Sequence, residues 1–382
     1  MTPRVPVIDL FAGAGGLSLG AVAGGCDVRL AVDNDRVSCD TMEANSSALG
    51  GGDVLCADVT ELSGQGLREM AGLDAGDPLL IVGGVPCQPF SKAAYWVEAG
   101  DEAAYRRARA AGGAAEKPPP PEFARPDARR TLVEEFWRLV RETDADAFVF
   151  ENVRSITHPR NKPVLEALER AARVRGYKLR FVAANAAEYG VPQRRQRVFL
   201  LGSKQRQPDA PERTHAAPEV AAEEGKKPFE VTGPALAPFA GMEFFEPEEV
   251  VEGRWAEHLM TVPPGGNYKA HTAWGGHPNP TWETETRYWN FLLKLSPDLP
   301  SWTVNASPGP WTGPFHWDTR RLRTPELAAL QTFPEGYRFE GSRRERVRQI
   351  GNAVPVLLAR RIVESAAAAL GADEESRLLV AA

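Results

Sequence analysis

The chain has 382 residues, 43% hydrophobic and 25% charged, a formal charge of −6, and no apolar run near the roughly 18 residues of a membrane span. It is long enough for one large domain and a smaller one. Its four cysteines (Cys26, Cys39, Cys56, Cys87) show no CxxC spacing and the histidines do not cluster, which argues against zinc and against a disulfide framework. Met1-Thr2-Pro3-Arg4-Val5-Pro6 has no signal-peptide pattern, so a reducing cytoplasm is the expected setting. The acidic sum conceals two basic stretches: Arg194, Arg195, Arg197, Lys204 and Arg206, then Arg320, Arg321, Arg323, Arg343, Arg344, Arg346 and Arg348. Either could bind phosphate or be a solvated helix face.

In chain order, residues 5–10 predict a strand and residues 17–22 the start of a helix. The loop between them, Asp9-Leu10-Phe11-Ala12-Gly13-Ala14-Gly15-Gly16-Leu17-Ser18-Leu19-Gly20, lets a ligand approach the backbone beside a helix N-terminus. It matches GxGxxG only in part, which leaves a nicotinamide dehydrogenase open. A second strand over 28–32 ends at Asp33, where a carboxylate can accept ribose hydroxyls, and a helix follows over 37–45. A short strand over 53–56 precedes Asp58, an acceptor for an adenine amino group. Acids at two successive strand ends favour an adenosine-containing cofactor.

The run Leu79-Leu80-Ile81-Val82-Gly83-Gly84-Val85-Pro86-Cys87-Gln88-Pro89 reads as a buried strand that delivers Cys87 to its carboxyl end between two stiff prolines. A cysteine there is either a nucleophile or inert. Residues 91–129 form a long Ala/Gly/Arg/Pro loop with Pro118-Pro119-Pro120-Pro121. Residues 130–141 predict an amphipathic helix and 147–150 a buried strand ending at Glu151. A helix over 165–175 and extended runs over 177–183 and 197–201 follow, with Arg195 and Arg197 on one face by strand alternation. This βα alternation predicts an α/β fold with a mostly parallel sheet flanked by helices. From 203 to 314 the alternation stops; prolines and most tryptophans gather there, which reads as a smaller, irregular, β-rich domain whose tryptophans form its core. Helices return over 324–333 and 354–370.

Six motifs in this order resemble the DNA cytosine-5 methyltransferase family, in its Dcm-like bacterial restriction-modification form. They are the DLFAGAGGLSLG loop, GGVPCQPFS, Glu151-Asn152-Val153, Gln193-Arg194-Arg195-Gln196-Arg197, the segment from Arg321 to Pro334, and Gln349-Ile350-Gly351-Asn352-Ala353-Val354-Pro355. The resemblance implies a Rossmann-like S-adenosylmethionine-dependent catalytic domain over 1–202, a target-recognition domain over 203–314, and a segment over 315–382 returning to the first. It implies S-adenosyl-L-methionine as cofactor, S-adenosyl-L-homocysteine as product, and no metal. Phe11, Gly13 and Gly15, with Leu17 beside them, would surround the cofactor's amino-acid portion, Asp33 its ribose and Asp58 its adenine. Leu132, after Thr131, would close the pocket, and Asn352 and Val354 would complete it. At Asn34, many relatives carry an aromatic that stacks on adenine; here that stacking is absent.

The implied reaction is methylation at carbon 5 of a cytosine flipped out of double-stranded DNA. Cys87 would attack carbon 6, Glu151 would hold ring N3 and the exocyclic amine, Arg197 would contact the ring carbonyl and Arg195 would support the site. The 91–129 loop matches the segment that closes over flipped DNA, with extra residues. The Gly265-Gly266-Asn267-Tyr268 turn and the Trp302-Thr303-Val304 strand are candidates for groove contact. A cognate restriction endonuclease, a monomeric state and a nucleoid-associated cytoplasmic setting are the accompanying expectations. The family's tRNA-modifying branch and a catalytically silent DNA-binding protein are the alternatives. The large recognition segment disfavours the former, and intact Cys87, Glu151 and Arg197 the latter. A dehydrogenase has no use for the cysteine.

Overall fold

The computed structural model describes residues 4–86, 90, 131–280, 282 and 289–371. Cys87 and the 91–129 loop therefore lie outside the described residues. The apolar runs become β1 (Pro6–Leu10), β2 (Asp27–Asp33), β3 (Asp53–Cys56), β4 (Leu80–Gly84), β5 (Ala147–Val153) and β6 (Lys178–Asn185). The two-residue β7 (Gln193–Arg194) and then β8 (Gln196–Ser203) follow. Seven of these form one sheet in the order β3-β2-β1-β4-β5-β8-β6. The first five pair in parallel, whereas β8 runs antiparallel to both β5 and β6. The link from β6 to β8 is too short to hold a crossover helix, so the chain must return antiparallel.

Helices cover both faces. On one, α3 (Gly64–Met70), α4 (Leu132–Glu142) and α5 (Lys162–Val174) set Leu67, Phe136, Leu139 and Leu168 against Ile8, Ile81, Phe148 and Phe150. On the other, α1 (Gly16–Ala23) and the last helix, α8 (Val356–Ala368), cover Val7, Val82, Val149 and Phe199. These two helices touch through glycine. A Cβ on Gly20 would lie 2.4 Å from that of Ala359, and one on Gly16 would lie 2.5 Å from the Val354 carbonyl oxygen. Glycine there brings the C-terminal segment against the first loop; the α/β body also contains α2 (Arg36–Ala44), α6 (Thr324–Leu330) and α7 (Arg343–Asn352), and shorter helices lie in the 203–314 stretch.

The 203–314 stretch is irregular, but its β content among the described residues is slight. It amounts to two-residue pairings, His215–Ala216 with Lys227–Pro228 and Ser301–Trp302 with β7, plus isolated bridges; short helical turns make up the other regular pieces. The expectation of a β-rich domain is corrected accordingly: with so many prolines the segment has few backbone donors to spare for ladders. Its own small core is Leu259, Val262, Tyr268, Leu292 and Phe315, rimmed by Trp255, Trp282 and Trp311. The Trp255 and Trp282 rings stack with centroids 4.6 Å apart. Trp274, Trp289 and Trp302 are instead exposed. Tyr268, a candidate for groove contact, is buried in that core. Leu236, Leu295 and Val304 pack into a cluster with Leu322, Leu330 and Ile350, so the segment is anchored on the C-terminal helices.

Candidate active site

β1 has β2 on one side and β4 on the other, so successive connections leave it in opposite directions. A crevice opens at such a switch point, beyond the carboxyl ends of the strands. Here it is a cavity of about 480 Å³, walled by Phe11 and Gly13 from the first loop, Leu17 of α1, Asp33 at the end of β2, Asp58 after β3, Gly84 at the end of β4 and Pro86 just beyond it. Thr131 and Leu132 open α4 on one flank; Asn352 and Val354 close the other; Glu151 and Arg197 reach in from β5 and β8.

The first loop is strained to make this wall. Phe11 has φ 57°, a left-handed conformation costly for a non-glycine residue. Gly13, at φ 56°, has no atom within 4 Å of where a Cβ would be, so its backbone faces open space. Its N–H donates to Asp33 Oδ2 at 2.8 Å, and the Asp35 N–H donates to Asp33 Oδ1 at 2.8 Å. Each carboxylate oxygen keeps a further acceptor site for a hydroxyl. Burial pushes the Asp33 carboxyl up, while the Asp35 and Gly13 N–H groups pull it back. At Asp58, the Thr60 N–H and hydroxyl donate at 2.9 and 2.8 Å, and these bonds hold the carboxyl below its usual range. With Phe11, Leu17, Val59 and Leu132 in the same wall as the two acids, the cavity suits a ligand carrying a sugar diol, an amino-bearing ring and an apolar edge.

Across the cavity, β5 and β8 bring Glu151 and Arg197 together: Arg197 Nε lies 2.9 Å from Glu151 Oε1, and both side chains are largely buried. Burial raises the Glu151 carboxyl above its ordinary range, against the opposing charges of Arg197 and then Arg195. Gly84 pairs with Glu151 in the sheet, and a Cβ there would sit 3.4 Å from Glu151 Oε2. Gly84 and Glu151 thus stand side by side in the cavity wall. Cys87 lies outside the described residues, but Pro86, immediately before it, is part of the same wall.

Two expected site residues stand elsewhere. Gly15 is the N-cap of α1, in a left-handed conformation (φ 77°), and does not line the cavity. Arg195 falls between β7 and β8, fully buried and outside the cavity wall. Its guanidinium donates to the carbonyls of Val304 (3.1 Å), Gly351 (2.7 Å) and Ala353 (3.0 Å). Alternation placed it beside Arg197, yet unfilled carbonyls at the ends of two segments claim it, so its role is to position Asn352 and Val354. The wall also contains residues not anticipated: Asp35, Ser38, Arg348 and Gln349. Arg348 pairs with Asp35 at 2.8 Å, joining α7 to the start of α2. The available signal was the Ser342–Glu345 capping box that opens α7.

Arg195→Ala should lower unfolding stability by about 3 kcal/mol, because buried carbonyls lose their donor. Arg197→Ala should cost less, having one carboxylate partner. Urea denaturation of both variants checks the order; the reverse order would mean that Arg195 is not the positioning residue.

A family model described as C-5 cytosine-specific DNA methylase matches residues 5–105, 123–244 and 267–368. The chain is 37% identical to the Type II methyltransferase M.SacI of Streptomyces achromogenes, over 97% of this chain and 95% of that protein. It is 32% identical to the Type II methyltransferase M1.HphI of Haemophilus parahaemolyticus, over 94% and 85% respectively. The fold is also that of the Schizosaccharomyces pombe Dnmt2 methyltransferase, at a TM-score of 0.58 and 14% identity, covering 97% of this chain and all (100%) of that one. Coverage by the family model, agreement with full-length relatives and the placement of the motif residues around one cavity converge: the chain belongs to the C-5 cytosine-specific DNA methylase family.

Proposed function

We propose that this protein transfers the methyl group of S-adenosylmethionine to carbon 5 of a cytosine flipped from a short duplex DNA sequence, through a covalent adduct with Cys87. The observation that carries this reading is the shared wall: the strand-end acids Asp33 and Asp58, the Glu151–Arg197 pair and Pro86 all face one cavity. In this reading Asp33 accepts the ribose hydroxyls, Asp58 takes the adenine amine, and Phe11, Gly13, Leu17, Leu132, Asn352 and Val354 shape the pocket. When bound, S-adenosylmethionine supplies an electrophilic methyl.

The chain's residues supply the remainder. Carbon 5 of cytosine is a weak nucleophile. Attack by the Cys87 thiolate forms a C–S bond at carbon 6 and moves the ring electrons towards carbon 5 and N3. Burial raises the Glu151 carboxyl, which favours the protonated form that can donate to N3. Arg197 meets the ring carbonyl, while Arg195 fixes the Asn352 wall through the backbone. Loss of the carbon-5 proton to a base then expels the cysteine sulfur. In a duplex the ring faces are stacked, so the base must leave the helix to be attacked.

The 203–314 segment is read as the target-recognition domain, and its exposed aromatics support that reading. Trp302 pairs with Arg194 in the sheet, three residues (roughly 10 Å of strand) before Arg197 in the cavity. The Trp289 ring centre lies 5.0 Å from that of Trp302. An aromatic pair beside an exposed arginine, one strand's reach from the cavity, is placed to pack against duplex flanking the target. A companion endonuclease for the same site accompanies this reading.

Cys87→Ser should abolish methyl transfer while leaving duplex binding intact, and DNA carrying 5-fluorocytosine at the target should trap a covalent complex with the unaltered enzyme. Bisulfite sequencing of DNA from an expressing host reads activity and site together; transfer persisting in Cys87→Ser would remove the cysteine from the mechanism. The protonated form of Glu151 is the useful one, so kcat/KM should fall as pH rises through its raised pKa. Glu151→Gln should lose that descending limb along with most of the rate; an unchanged limb assigns it to another group. Trp302→Ala should raise KM for DNA about tenfold, the loss of one aromatic contact, with Trp302→Phe close to the unaltered enzyme. Equal KM in all three would place the duplex elsewhere.

A further inference from the structure

Two cysteines that the proposed reaction does not use meet directly behind the cofactor wall. Cys39 is on α2 and fully buried; Cys56 is the last residue of β3 and partly exposed. In the sheet Cys56 pairs with Asp33, whose carbonyl oxygen accepts the Ala57 N–H at 3.0 Å. The same oxygen accepts the Cys39 S–H at 3.4 Å. The Cys39 thiol and the backbone of the Cys56 strand end therefore meet at one peptide group, which sets the two cysteines beside each other. That peptide group belongs to Asp33, which with Asn34 and Asp35 lines the cavity.

We propose that Cys39 and Cys56 are a dithiol modification site, closed into an intramolecular disulfide by small-molecule disulfides, and that closure weakens cofactor binding. The second half rests on the cofactor reading given above. The exposed Cys56 reacts first: its sulfur attacks a disulfide R–S–S–R, forming Cys56–S–S–R and releasing one R–SH. Cys39 then attacks the Cys56 sulfur, forming the Cys39–Cys56 bond and releasing a second R–SH, so two protein thiols are oxidised and one disulfide is reduced to two thiols. Burial, and then the neighbouring Cys56 thiol, raise the Cys39 thiol above its ordinary value, so it is the poorer first nucleophile and its attack depends on proximity to the mixed disulfide. Closure removes the S–H donor from the Asp33 carbonyl and pulls the first turn of α2 towards β3. The Asp33-Asn34-Asp35 wall cannot keep its place when that turn shifts.

Both cysteines lie between Arg36 and Arg68, with no lysine or arginine between those two arginines, so trypsin leaves them on one peptide, 37–68. The test treats the full chain with oxidised glutathione, maps that peptide by mass spectrometry, and measures S-adenosylhomocysteine binding by calorimetry. Cys87→Ser serves as the parent, so that chemistry at that thiol is silent. The expected result is a 37–68 peptide lacking two hydrogens and an affinity lower by about tenfold, the worth of one hydrogen-bonded contact, with both changes reversed by dithiothreitol. In Cys56→Ser the affinity should be indifferent to the oxidant. A peptide that stays reduced, or that carries glutathione on Cys56 without closing, overturns the site; a closed disulfide with unchanged affinity overturns its coupling to the pocket. If the reduced protein binds no S-adenosylhomocysteine the cofactor reading fails, and the peptide mass still decides the dithiol.

Discussion

The cavity depends on a buried polar knot centred on Arg195. Its guanidinium donates to carbonyls of residues 304, 351 and 353, from segments more than a hundred residues further along the chain. Gln193, two residues before it, donates to the Leu330 carbonyl and to Gln331 Oε1, and accepts from the Val304 N–H. Gln331 donates in turn to the Ile350 and Ala353 carbonyls. The Leu330, Ile350 and Gly351 carbonyls end helices and so lack intrahelical donors. In a low-dielectric interior such bonds are strong when all are made and costly when one is lost. The exit of the irregular segment, the end of α6 and the turn from α7 to α8 are thereby fixed to the β7–β8 connection.

That constraint explains how the two ends of the chain build one pocket. The knot holds residues 351–354 in place, and α8 then packs on α1 at Gly16 and Gly20. The same closure is repeated further out. The Tyr337 hydroxyl donates to the Ala14 carbonyl at 2.8 Å, Asn45 exchanges hydrogen bonds with the Arg338 backbone, and Arg348 pairs with Asp35. The first loop has a strained φ at Phe11 and would relax without this backing. Cofactor wall and C-terminal helices are one cooperative unit, whereas the small Trp255–Trp282 core sits apart from it.

The sheet was legible because its strands are near-continuous apolar runs that stop at glycine or an acid, and because those stops are where α/β sheets place their chemistry. Asp33, Asp58 and Glu151 could be located from that rule alone. Arg195 could not: two-residue alternation gives a face, but it does not say that unpaired carbonyls from residues 304 to 353 will occupy that face first. Gly15 failed for a related reason, since in a loop this rich in glycine a helix cap and a ligand contact have the same composition. The helix α7, with Val347 and Ile350 its only aliphatic residues, carries little apolar stripe, so Arg348 was visible as charge and not as cavity wall. In the irregular segment, burial of Trp255 and exposure of Trp302 depend on long-range packing that tryptophan content does not encode.

The placement of Glu151 follows from the same architecture. A carboxyl on an exposed loop would be ionised at neutral pH and could only accept hydrogen bonds. At the end of β5, between β4 and β8, it is taken out of water, and burial outweighs the two cations that favour its charge. Arg197 holds Oε1, so the carboxyl cannot turn away. Arg195, nearer the knot, contributes its field without entering the cavity. One arginine orients the acid and the other secures the opposite wall, so the short sequence from Gln193 to Arg197 joins the fold's internal knot to the buried carboxyl of β5.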